Sequence, residues 1–268
     1  MQAHGLPDAL TTATTPTSAR VTPPPFVRKP HYLLPMLLVS GVLIELAAFR
    51  RGTARARSLA ARSQRFERRM RSKRGPSILI LGDSTGVGVG ASLPEESIAG
   101  LLAIDFPRSD IANISVSGAR VGDALAQAAR CNSLGMRFDV AVLHIGANDI
   151  VRGTPTEELA DSCEKLMLEL ERLARRTVWL GPPDLSIAPL FRPPYAWVIG
   201  ARSRAATAVY ARSAARHHVS FVDFSAPPHS IHFRRRRDQH FASDGFHPNS
   251  STYRYAYRSA REALGLPP

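Results

Sequence analysis

The stretch Ser77-Ile78-Leu79-Ile80-Leu81-Gly82-Asp83-Ser84-Thr85 decides the fold. Its first five residues are a short run of strand formers that stops at Gly82. A run apolar on both faces is expected of a strand buried on both sides, as in a parallel sheet. Ser84 then falls at the carboxyl end of that strand, where open α/β sheets hold their ligands. Gly86, Gly88 and Gly90 follow and let the backbone turn close to a bound group. Standing alone, Ser84 would be read as a helix or turn cap. Three later stretches reverse that preference.

Two other motifs overlap this spot. Gly82 to Gly86 fits G-x-S-x-G, the elbow that carries a nucleophile in another class of α/β enzymes. Such enzymes place several strands before the serine and a long stretch between acid and histidine. Here the serine follows the first strand, and Asp244 precedes His247 by three residues, so the match is incidental. Gly86 to Ala91 fits the dinucleotide fingerprint G-x-G-x-x-A. That motif needs an acidic residue after the second strand, and Ser117 and Gly118 stand there instead. The nucleotide reading is set aside.

Runs 111–116, 140–145, 177–180 and 219–222 read as the remaining strands. Thr154-Pro155-Thr156-Glu157 opens a helix over 155–176, with an N-cap, a proline at the first position and a capping-box glutamate. Strands alternating with helices predict a parallel α/β sheet.

A serine hydroxyl attacks a carbonyl only once a base takes its proton. Of nine histidines, His247 is singled out by Asp244, three residues earlier and on the same face if the chain makes a helical turn. An aspartate there accepts from one ring nitrogen and leaves the other for Ser84. Gly118 and Asn148 each lie just beyond a separate strand-like run, 111–116 and 140–145, so their amides converge with that of Ser84 on one rim of the sheet. Such amides stabilise a developing oxyanion. Each residue also has a structural reading: a capping Asp244, a solvated His247, a tight turn at Gly118, and a loop cap at Asn148 and Asp149. The ordered set outweighs them.

With Ser84, Gly118, Asn148 and His247 in that order, the chain resembles the SGNH hydrolases, or GDSL-type esterases and lipases, over residues 75–266. Asp244 is similar to the family's acid. The resemblance implies a three-layer α/β/α flavodoxin-like fold with a central parallel sheet. It also implies a serine esterase that hydrolyses a carboxylic ester through an acyl-enzyme at Ser84, with an oxyanion hole from Ser84, Gly118 and Asn148. Thr85 stands where the family's nominal motif has leucine, a change expected to bear on packing. An acyltransferase using the same acyl-enzyme and a non-catalytic carbohydrate-binding relative are the alternatives.

No metal or cofactor is expected, since no cysteine–histidine cluster or H-E-x-x-H occurs. His144, inside an apolar run, is expected to be a hydrogen-bonded core residue. Cys131 and Cys163 offer no disulfide framework and sit in helix-like stretches.

The net charge of +13 is not spread evenly. Residues 50–74 carry eleven Arg or Lys against Glu67 alone, whereas 75–268 is close to neutral at +2. Basicity therefore belongs to an arm, and nothing resembles a nucleic-acid motif. The organisation expected is a Thr/Pro-rich, disordered 1–31, an apolar 32–49, the basic arm 50–74, and a catalytic domain over 75–268. Residues 32–49 are read as a membrane anchor, against a signal peptide and a docked helix. The charge that follows predicts that the arm stays on the cytoplasmic side along anionic headgroups; a soluble cytoplasmic protein is the alternative. Met36 is a candidate start. The partner expected is a small acylated substrate, with a lysophospholipid one option. The loop 182–194, with Leu185, Leu190 and Phe191, is a candidate wall for the acyl group. The four arginines 234–237 could attract an anionic headgroup, although such runs are usually solvated.

Overall fold

The computed structural model describes residues 33–70 and 75–265, with side chains from residue 45 onward. Contacts divide the chain into Met1–Val42 and Leu43–Pro268. The expected disordered segment 1–31 and the candidate start Met36 lie outside the described residues or their side chains, as does most of the expected anchor 32–49. Among the described residues no helix is long and apolar enough to cross a membrane.

Helix α1 (Leu33–Arg62) precedes strand β1 (Ser77–Gly82) and the single turn α2 (Ser84–Val87). Then come α3 (Ile98–Asp105), β2 (Asp110–Asn113), α4 (Val121–Ser133), β3 (Phe138–His144), α5 (Ala147–Arg152) and α6 (Thr156–Leu173). The chain closes with β4 (Ala174–Leu180), α7 (Tyr195–Arg216), β5 (Ser220–Val222), α8 (His229–Arg235) and α9 (Ser250–Ala263). The five strands pair in parallel in the order β2-β1-β3-β4-β5. This is the flavodoxin-like order, whose switch point lies where β1 neighbours both β2 and β3.

The apolar run of β1 explains the layering. Ile78 and Ile80 join one core with Ile98 and Leu102 of α3 and Tyr253 and Ala256 of α9. Leu79 and Leu81 point the other way, into a core with Val121 of α4, Leu166 of α6 and Tyr210 of α7. Side chains alternate across a strand, so a central strand covered by helices on both faces must be apolar at every position. Helix α6 shows the matching helical period: Leu159, Cys163, Leu166, Met167, Leu170 and Leu173 are all buried on one side.

Two local expectations are corrected. The helix expected over 155–176 runs from Thr156 to Leu173, and no side chain caps it. The Thr154 hydroxyl instead donates to Asp149 Oδ1 at 2.9 Å, because the preceding turn brings that carboxylate closer than the helix N-terminus. The second strand ends at Asn113, three residues short of the expected end; beyond it the Ile114 and Val116 N–H groups still donate to β1, while Asn113 Nδ2 donates to the Gly86 carbonyl and its Oδ1 accepts from the Ser115 N–H.

The described part of the basic arm, residues 50–70, lies against the sheet domain. Arg68 pairs with Ile111 as an antiparallel bridge, and its guanidinium donates to the carbonyls of Ala103, Phe106 and Ser109. Arg65 donates to the Ser115 carbonyl at 3.1 Å. Near the other end, Phe49 packs against Phe191 and Tyr195, and Glu45 pairs with Arg192.

Candidate active site

Four chain segments meet at the carboxyl ends of β1 and β3. Strand β1 ends at Gly82 with φ at +147°, and a Cβ added there would lie 2.0 Å from the His144 carbonyl oxygen. Only the missing side chain permits that approach, after which the chain turns into α2 at Ser84. Asp83 caps the turn: its Oδ1 accepts from the Thr85 N–H at 2.8 Å and the Thr85 hydroxyl at 2.7 Å. The part of Thr85 is therefore polar, which corrects the expectation that it bears on packing. Its hydroxyl holds the carboxylate beside Ser84, a bond leucine cannot make.

Asp244 and His247 lie in a turn tied back on itself by the bridge of Phe241 with Pro248 and by the Ala242 N–H donating to the His247 carbonyl at 2.8 Å. The turn is not helical, contrary to expectation. Gly245 takes φ of +69°, outside the right-handed helical region, and Pro248 disfavours a helical conformation at His247. Asp244 Oδ1 accepts from the backbone N–H groups of Phe246 and His247, at 2.9 and 3.0 Å. That fixes the carboxylate and aims Oδ2 at the imidazole.

The resulting chain of contacts is short. Asp244 Oδ2 lies 2.5 Å from His247 Nδ1, and His247 Nε2 lies 2.9 Å from Ser84 Oγ. All three residues are buried, which keeps water from competing for the bonds. Burial works to raise the Asp244 carboxyl. The bond and charge of His247 and the two backbone N–H groups outweigh it and hold the group below the usual carboxylate range. An ionised carboxylate only accepts, so the ring proton sits on Nδ1 and the Nε2 lone pair faces the hydroxyl.

Gly118 lies in the turn between β2 and α4 with φ at +86°. Its carbonyl accepts from Arg152 Nη2 at 3.0 Å. The N–H groups of Ser84 and Gly118 donate to no acceptor among the described residues. Asn148, in the first turn of α5, donates through Nδ2 to the Ala119 carbonyl at 3.0 Å, which leaves one amide hydrogen. Its neighbour Asp149 accepts from the Val121 N–H at 3.0 Å, so two adjacent side chains clamp the Gly118 turn to α5. A hydroxyl bonded to such an imidazole, beside unpaired N–H groups, can attack a carbonyl carbon and hold the oxyanion that forms.

Next to Ser84 and His247 lies a cavity of about 60 Å³ walled by Pro182, Pro183, Leu185, Phe224, Phe233 and Phe246. The first half of the loop 182–194 thus faces the site. Leu190 and Phe191 do not line the cavity. They pack beneath the N-terminal helix, and an aromatic series runs from Phe49 through Phe191 and Phe246 to the His247 ring, with successive centroids 6.4, 5.8 and 5.0 Å apart.

Two buried polar groups line this cavity. Asp83 Oδ2 and His144 Nδ1 are both buried with no hydrogen-bond partner among the described residues, so the expected hydrogen-bonded His144 is corrected. Strand β3 is the central strand, paired with β1 and β4, so its backbone groups are used in the ladder, and no side-chain acceptor reaches the ring. Burial raises the Asp83 carboxyl to about 6 and lowers the His144 imidazole to about 4. His144 is therefore neutral at pH 7. Because the folded state disfavours ionised Asp83, that group subtracts stability progressively as pH rises from its ordinary value near 4 through about 6. Among the described residues no group of three or more His, Cys, Asp or Glu is placed to hold a metal ion.

A five-stranded parallel sheet flanked by helices, with this constellation at its carboxyl edge, is the architecture of the SGNH hydrolases. The profile of the GDSL-like Lipase/Acylhydrolase family matches residues 80–255, and the chain belongs to that family. Solved structures agree on the fold. An alpha/beta hydrolase enzyme from the metagenome of Lake Arreo aligns at 21% identity over 71% of this chain and 95% of its own, with a TM-score of 0.56. A member of the lipolytic G-D-S-L family from Veillonella parvula aligns at 17% identity over 70% and 98%, with a TM-score of 0.54. An acetyl xylan esterase from Geobacillus stearothermophilus aligns at 20% identity over 74% and 98%, also at 0.54. No curated protein matches the sequence.

Proposed function

We propose that this protein is a serine esterase acting through an acyl-enzyme at Ser84. The observation that carries the reading is the 2.9 Å contact of Ser84 Oγ with an imidazole whose other nitrogen faces the Asp244 carboxylate. In this scheme His247 takes the hydroxyl proton as Ser84 attacks the ester carbonyl. The N–H groups of Ser84 and Gly118 and the free amide hydrogen of Asn148 receive the oxyanion. His247 then returns the proton to the leaving alcohol. Water then attacks the acyl carbon while giving a proton to His247, and the acid leaves as the bond to Ser84 Oγ breaks and that proton passes from His247 to Oγ. Asp244 holds the ring in the required tautomer and balances its charge. A fluorophosphonate probe tests the assignment: it should modify Ser84, and modification elsewhere with Ser84 untouched would sink it.

The acyl group we infer is short. The cavity beside Ser84 is small, about 60 Å³, and is walled by Pro182, Pro183, Leu185, Phe224, Phe233 and Phe246. Among its walls Leu185, Phe224 and Phe233 are buried side chains packed into the core. That favours acetyl or propionyl over the long chain of a lysophospholipid. Hydrolysis of p-nitrophenyl acetate should exceed that of p-nitrophenyl octanoate by at least about tenfold in kcat/KM, since unfavourable packing of only ~1.4 kcal/mol produces that ratio. Equal rates across the series would place the acyl chain outside this cavity.

A further inference from the structure

The run of arginines at the end of α8 has a structural outcome that its sequence does not disclose. Arg235 and Arg236, at the end of α8, and Arg258, from α9, line a surface groove of about 430 Å³ together with His232, His240 and Tyr255. Three neighbouring arginines are paired with acids. Arg234 pairs with Asp184 at 2.7 Å, Arg254 with Glu96 at 3.0 Å and Arg261 with Asp105 at 2.7 Å. The three that line the groove are not. Among the described residues Arg235 has no hydrogen-bond partner, Arg236 reaches only the Gln239 amide oxygen at 3.5 Å, and Arg258 only the Arg254 carbonyl of its own helix. The nearby carboxylates are Asp238, whose charge acts on His240, and Glu262, whose charge acts on Tyr255, and neither lines the groove.

Two stacked aromatic rings line the groove. The His232 ring stacks on Tyr255 with centroids 4.0 Å apart and planes at 3°, and Tyr255 OH contacts His229 Nδ1 at 2.8 Å. Burial, followed by the positive charges of His240, His229 and Arg258, holds the His232 imidazole below its usual range. A solvated charge run would splay its members apart. Here three arginines, from the end of α8 and from α9, line one groove with His232 and Tyr255 and with no acidic residue among its lining, and guanidinium forks match the oxygens of phosphate.

We propose that this groove binds a phosphate-bearing small molecule. The site is independent of the ester chemistry, although His240 lines both the groove and the cavity beside Ser84. Its size suits a ligand larger than phosphate alone, with the anion on the arginines and an apolar or aromatic part over the His232–Tyr255 stack.

The test uses the full chain and inorganic phosphate as probe, with chloride at matched ionic strength as control. Titration followed calorimetrically, and by the His232 imidazole NMR signal, should show saturable binding and an upward shift of the His232 titration midpoint, because a bound anion favours the charged ring. Arg235→Gln and Arg258→Gln should each weaken binding by at least about tenfold, the loss of a charge-assisted bond. These residues sit on different helices and are exposed, so one variant serves if the other fails to fold. Ser84→Ala should bind phosphate like the wild type, which separates this site from the esterase reading. The proposal is overturned if phosphate does not saturate, if both variants bind unchanged, or if chloride gives the same response.

Discussion

Ser84→Ala is expected to lower kcat/KM for p-nitrophenyl acetate by about four to six orders of magnitude, the usual consequence of removing the nucleophile from such a triad. The substitution deletes one buried oxygen and leaves the turn of α2 unchanged, since Asp83 and Thr85 hold it rather than the Ser84 hydroxyl. His247 stays bonded to Asp244, and the oxyanion donors stay in place. The residue of activity should therefore be the small fraction that binding and amide donors supply without an acyl-enzyme. Urea midpoints of the two proteins, measured beside the rates, should agree closely. Equal rates for wild type and variant would end the catalytic assignment, and a loss of rate matched by a collapse in stability would leave the fold, not the chemistry, as the cause.

Asp244→Asn should cost about four orders of magnitude in kcat while preserving size and most contacts. Asparagine oxygen can still accept from the Phe246 and His247 N–H groups, as Asp244 Oδ1 does now. Its amide group then replaces Oδ2 and donates toward Nδ1. The ring proton moves to Nε2, where it faces the Ser84 hydroxyl as a donor and can accept nothing. The base is present but holds its proton on the wrong atom. KM should change far less than kcat, because the acyl cavity and amide donors do not touch Asp244 through its Oδ2. A variant with wild-type kcat would show that Asp244 is only a turn-forming residue, the plain structural reading that its two backbone bonds would by themselves support.

Much of the fold was legible in short stretches. The run at β1 is apolar at consecutive positions, and only a strand covered on both faces needs that. The apolar period of α6 is equally readable, because amphipathic spacing is local. Less legible were the ends of elements. Thr154 had the chemistry of a cap yet bonds to Asp149, and the second strand stops where Asn113 turns its side chain to Gly86. The first partner lies five residues back in the preceding turn and the second 27 residues away, and the cap and strand patterns represent neither. The pair Asp244 and His247 was visible by spacing, but its backbone was misjudged: Gly245 and Pro248 impose a turn that a helical wheel does not represent.

Residue order and type determined that the chain could form a doubly covered parallel sheet and that a serine, a histidine and an aspartate of suitable chemistry would follow it. Tertiary structure decided the rest. Ser84 and His247 are separated by more than a hundred and sixty residues, and only the strand order β2-β1-β3-β4-β5 brings their segments to one edge at 2.9 Å. The same holds for the orphaned atoms of Asp83 and His144, the Phe49 to His247 aromatic series and the uncompensated arginines over Tyr255. Each is a statement about which partners a side chain lacks or gains after folding. Hydrogen bonds and ion pairs depend on ångström-scale distances between remote segments, and a linear pattern carries no such distances.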